Sequence, residues 1–120
     1  MRILKKIEDS CAVVALTYAS QIDQETVLRV CTLHGFEVGY GMEDQEWQDS
    51  ARELGLKFRA VSLKPCRLRS FIKKYNTGLY FVGTINHIFC VDNGLVIDPR
   101  YDGDTDGMGR IIKQAWKVDK

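Results

Sequence analysis

Between Cys11 and Ala19 the apolar residues Val13, Val14, Leu16 and Tyr18 are separated only by Ala and Thr, the pattern of a helix buried on most of its faces. Asp9 or Ser10 is the expected N-cap. Asp23 caps the next segment, QETVLRVCTLHG, whose Val27, Val30, Cys31 and Leu33 or His34 recur at helical spacing before Gly35 stops it. The Gly-rich VGYGM loop leads to a third helix, MEDQEWQDSAREL, with Trp47, Ala51 and Leu54 on one face and Gly55 closing it. After Gly55 the period shortens. LKFRAVSL alternates like a half-buried strand, Pro65 breaks the chain before a short basic helix around RLRSFIKKY, and Thr77-Gly78 ends that helix. LYFVGTINHIFCVDNGLVID is rich in β-branched and aromatic residues and carries the Asn93-Gly94 pair of a tight hairpin, so it predicts two to three strands. Residues 98–110 read as a polar, Gly-rich loop, and IIKQAWKV fits a strand or a short helix equally well. The expected fold is α+β in one domain spanning residues 1–120, with N-terminal helices packed on an antiparallel β-meander.

Composition narrows the functional classes. A chain of 120 residues, 45% hydrophobic, has room for one modest core. Its net charge of +1, with no long basic stripe beyond short groups such as Lys73-Lys74, gives no charge argument for a nucleic-acid partner. No run approaches the ~18 apolar residues of a membrane span, and the first ten residues lack the apolar core of a signal peptide. A soluble, cytoplasmic protein is the expectation, with no membrane partner. Cys11, Cys31, Cys66 and Cys90 form no CxxC pair and no close framework, so all four are expected reduced, with no metal and no cofactor.

The chemistry concentrates on Cys11. A thiol in the first turn of a buried helix lies where the macrodipole and the N–H groups of that turn favour a thiolate. His87 sits in a β segment, and Asp98 ends the returning strand of the same hairpin. If the turn centres on Asn93-Gly94, cross-strand partners sum to about 187, which puts Asp98 diagonally within reach of His87. A carboxylate there holds the imidazole while the other ring nitrogen addresses the thiol. The competing reading of Cys11 is a small core filler.

Other residues have plainer readings. His34 closes a helix, where histidine commonly meets terminal carbonyls. Asp92 belongs to the turn. Cys31, Cys66 and Cys90 look structural, with Cys90 on the opposite strand parity to His87 and therefore expected to point away from the site. Asp98, Asp102, Asp104 and Asp106 have alternating spacing but lack the downstream Glu of a calcium loop, so they read as a solvated loop. Trp47 and Trp116 are expected in the core or at its rim.

The segments DSCAVVALTYAS, GMEDQEWQDSARELGL and GLYFVGTINHIFCVDNGLVIDP, in this order, resemble the papain-like cysteine peptidase superfamily. They are most similar to small phage- and bacteria-encoded proteins related to the double-glycine leader peptidases of bacteriocin exporters. The resemblance implies Cys11 as nucleophile, His87 as general base and acid, and Asp98 as the orienting carboxylate. Many such relatives carry a Gln about six residues before the cysteine as an oxyanion donor. This chain has Lys5 there, so the backbone N–H of Cys11 and the Lys5 ammonium are the expected donors. The function implied is a cysteine peptidase or related thiol acyl hydrolase acting on a peptide or protein substrate. The alternative is a catalytically weak or inactive papain-like binding module, such as a phage factor that engages a host protein.

Overall fold

A computed structural model describes residues 11–37, 41–84, 87–98 and 109–119. The expected N-caps Asp9 and Ser10, the donor Lys5, residues 38–40 of the Gly-rich loop and the acidic Asp102, Asp104 and Asp106 lie outside the described residues.

Three helices come first: α1 (Cys11–Ser20), α2 (Gln24–Leu33) and α3 (Asp44–Glu53). Asp23 caps α2 by accepting from the Thr26 N–H at 3.0 Å, and Glu43 with Glu46 forms a capping box on α3. Gly35, just beyond α2, has φ +115°, a left-handed backbone that a Cβ would strain. The remaining elements are β1 (Lys57–Ala60), β2 (Cys66–Arg67), α4 (Leu68–Lys74), β3 (Leu79–Thr84), β4 (His87–Asp92), β5 (Leu95–Ile97), β6 (Ile111–Ile112) and β7 (Gln114–Asp119).

The fold is α+β, with helices on both faces of an antiparallel sheet ordered β1-β7-β3-β4-β5. This corrects the simple meander. Only β3, β4 and β5 follow one another. β7 inserts between β1 and β3, and the short β2–β6 pair stands apart. IIKQAWKV, ambiguous in sequence, is strand on both sides of Lys113, because cross-strand partners on both flanks of β7 decide what local propensity leaves open.

Strand alternation divides the core in two. Leu79, Phe81, Ile88, Cys90, Trp116 and Val118 face α1, α2 and α3. Tyr80, Val82, Phe89, Val91 and Ala115 face Leu68 and Phe71 of α4 and Ile112 of β6. On the first face Trp47 is the hub, its ring 4.9 Å from Trp116, 5.2 Å from Phe81 and 5.7 Å from Phe58, centroid to centroid. Both tryptophans are buried, as their sequence context suggests. α1 lies directly on β4, which brings the element carrying Cys11 onto the strand carrying His87.

Candidate functional site

The site is built on the β4–β5 hairpin. Asn93 and Gly94 have φ of +50° and +83°, the left-handed pair of a tight turn. They fix the register at Cys90↔Ile97, Val91↔Val96 and Asp92↔Leu95. In that register Asp98 falls one residue beyond β5, diagonal to His87. The two side chains meet: His87 Nε2 is 2.8 Å from Asp98 Oδ2, with both side chains at most 5% exposed.

An ionised carboxylate only accepts, so Nε2 carries the proton and donates it to Asp98. The other ring nitrogen, Nδ1, is also buried. The Cys11 thiol is a second side-chain partner of the same imidazole. His87 opens β4, at the end of the sheet, where one ring is reached from both faces. Phe89 stacks against it at 5.6 Å on the α4 face, while Cys11 comes from the α1 face. Cys11 is partly exposed whereas His87 and Asp98 are buried, so of the three residues it is the one that borders solvent.

Arg110 completes the arrangement and was invisible in the sequence. Its Nη1 donates to the same Asp98 Oδ2 at 2.8 Å, and its guanidinium lies 4.1 Å above the Phe89 ring. Its carbonyl in turn accepts from the Leu68 N–H at 2.9 Å, which ties the segment to the start of α4. Only the stacked Phe89, two residues from His87 on the same strand parity, hints at such a platform beforehand.

Burial alone lowers the pKa of His87, but the hydrogen bonds to Asp98 and Cys11, and the charges of both, outweigh it and raise the pKa above the ordinary histidine value. The folded state therefore favours the imidazolium. The stability this adds is complete below about pH 6.5 and is lost as pH rises through the higher folded value. The stability difference between wild type and His87→Gln is accordingly expected to be largest near pH 5.5 and to shrink towards pH 9. Urea unfolding across that range measures it, and a pH-independent difference would contradict the assignment.

The rival residues fall elsewhere. Asp92 accepts the Tyr18 hydroxyl at 2.7 Å, and that phenol is pushed up to about 12 by burial and by Asp92. The His34 backbone N–H caps α2, while its ring lies 2.8 Å from Glu53 at the surface, far along the chain from the hairpin. Cys31 is fully buried, its thiol pushed up to about 11 by burial. Cys90 faces away from the His87 side of the sheet, yet it packs on α1 itself, its thiol donating to the Ala15 carbonyl at 3.3 Å. Cys66 is only half-buried, on β2, which among the described residues pairs with β6 alone. Among the described residues no cluster of potential metal ligands occurs, and no helix is long and apolar enough to cross a membrane.

No family model, curated protein or solved structure matches the chain. The geometry alone therefore carries the functional reading.

Proposed function

We propose that this chain is a thiol acyl hydrolase of the cysteine-peptidase type, with Cys11 as nucleophile, His87 as general base and acid, and Asp98 as the orienting carboxylate. One observation carries the reading: a buried carboxylate fixes the tautomer of His87 through Nε2, and the second side-chain partner of that ring is the thiol of a partly exposed cysteine at the start of α1. The chain order Cys11, His87, Asp98 agrees with the papain-like resemblance, which belongs to the same proposal.

The chemistry follows from the proton positions. With Nε2–H held by Asp98, the Nδ1 lone pair of neutral His87 accepts the Cys11 proton. Sγ then attacks the carbonyl carbon of an amide or ester, and the electron pair of the C=O bond moves to oxygen. The backbone N–H of Cys11, in the first described turn of α1, is the donor this reading assigns to that oxyanion. Collapse re-forms C=O and breaks the bond to the leaving group, which takes the proton from His87. Water, deprotonated by the same nitrogen, attacks the thioester and releases the acid while the proton returns to sulfur. Throughout, Asp98 stabilises the transient imidazolium.

Iodoacetamide labelling at pH 6 tests the reading without a known substrate. Cys11 is expected to be modified before Cys66, the half-buried comparison thiol, with Cys31 and Cys90 protected by burial and identified in the same peptide mass spectra. Cys11 reacting no faster than Cys66 would leave the binding module as the better description.

A further inference from the structure

Charge is segregated along this nearly neutral chain. From Asp23 to Glu53 eight carboxylates face two cations, Arg29 and Arg52, whereas from Leu56 to Val91 there are seven Lys or Arg and no Asp or Glu. The fold turns this into two surfaces, because α2 and α3 cover one face of the sheet and α4 the other. On the α4 face the cations form one track. Arg67 donates to the Gly109 carbonyl at 2.7 Å, beside the Arg110 that holds Asp98, and Arg69 flanks the same glycine. Lys73 and Lys74 end α4, and the Lys74 ammonium lies 5.5 Å from the Tyr75 ring centre. Tyr75 in turn stands against Tyr80, whose cross-sheet row runs through Lys117 of β7 to Arg59 of β1.

Two of these placements work against folding. Arg59 and Lys117 are direct cross-strand partners of like charge, which destabilises a sheet. Arg67 and Arg69 stand at the start of α4, with no acidic residue in its first turn, where the helix dipole disfavours cations. The dipole accounts for Lys73 and Lys74 at the other end but not for these. None of the track's six cations, Arg59, Arg67, Arg69, Lys73, Lys74 and Lys117, forms an ion pair with a described residue.

We infer that the α4 face is a docking surface for an acidic polypeptide segment, running from the edge of the Cys11–His87–Asp98 group across α4 to β1. It stands whether or not Cys11 turns substrate over. The structure favours a peptide over a nucleic acid on two grounds. The tyrosines offer bases no open ring face, since Tyr75 is stacked on Phe71 at 4.8 Å with Lys74 over its ring, and Tyr80 is buried. A long polyanion leaving the track would also meet the carboxylates of α2 and α3, whereas a short acidic segment ends within it.

The test uses the full chain and a fluorescein-labelled peptide of ten glutamates read by anisotropy. Binding is expected to weaken by roughly tenfold or more between 50 and 300 mM salt, as exposed charges are screened. The triple variant R69E/K73E/K74E, whose positions are all exposed, should bind at least tenfold more weakly, whereas Arg29→Glu on α2 should bind as wild type does. Unchanged far-ultraviolet circular dichroism of the triple variant establishes that it folds. Absence of peptide binding, a folded triple variant that binds like wild type, or tighter binding of a single-stranded oligonucleotide of equal charge would each overturn the inference.

Discussion

His87→Ala is expected to slow alkylation of Cys11 at pH 6 by roughly one to two orders of magnitude, and to move the rate's pH dependence towards that of an ordinary thiol near pH 8.5. The reasoning starts from the imidazole. Its pKa is raised in the fold by the hydrogen bonds and charges of Asp98 and Cys11, so at pH 6 it holds a proton, and in the proposed mechanism that charge stabilises a Cys11 thiolate. Without the ring the thiol must lose its proton to water. The effect is less than the change in thiolate fraction, because a less basic thiolate is also a poorer nucleophile. Asp98→Asn should act in the same direction but more weakly, since it removes the anion facing Nε2 and leaves the ring in place. Stopped-flow or quench labelling with mass spectrometry resolves the three proteins. Equal rates for wild type and His87→Ala would remove the imidazole from the chemistry altogether.

Trp47→Ala is expected to cost about 3–5 kcal/mol, a large share of the roughly 5–15 kcal/mol that holds a domain together. Trp47 is buried and ringed by Phe58, Phe81 and Trp116, which belong to α3's partners β1, β3 and β7, so its removal opens a cavity shared by three strands. Its indole N–H donates to Asp44 at 3.1 Å, within the first turn of the same helix. Trp47→Phe keeps most of the apolar surface and should cost clearly less. Guanidinium chloride unfolding gives both values. A loss below about 1 kcal/mol for the alanine variant would show that the cluster collapses around the gap, and that the helical layer is held elsewhere.

The legible part of the site is the part that depends on local chemistry. Asn93-Gly94 is a turn signal that fixes register by itself, and register alone places Asp98 beside His87. Likewise Asp23 and Gly35 bracket α2 through caps readable from neighbouring residues. Arg110 was not legible, because it reaches Asp98 only after the β2–β6 pair and the Leu68–Arg110 hydrogen bond join segments more than forty positions apart in the chain. The basic face was legible only in part: the short basic helix already carries Arg67, Arg69, Lys73 and Lys74, but only the register of β1 and β7 adds Arg59 and Lys117 to the same face. The place of β7 had no local signature either. Its alternation identifies a strand, but the neighbours that a strand takes are a property of the whole chain.

The insertion of β7 also bears on how the protein comes off the ribosome. Among the described residues β1 has no partner in the sheet but β7, and β3 is left with an open edge on that side until β7 arrives. Helices α1 to α3 can assemble early against the β3–β4–β5 hairpins, yet the strand that seals the Trp116 side of their core is made some thirty residues after β3. Folding therefore waits on synthesis through residue 119, and the nascent chain carries an exposed β3 edge and an orphan β1 until then, the interval in which a holdase chaperone has most to shield.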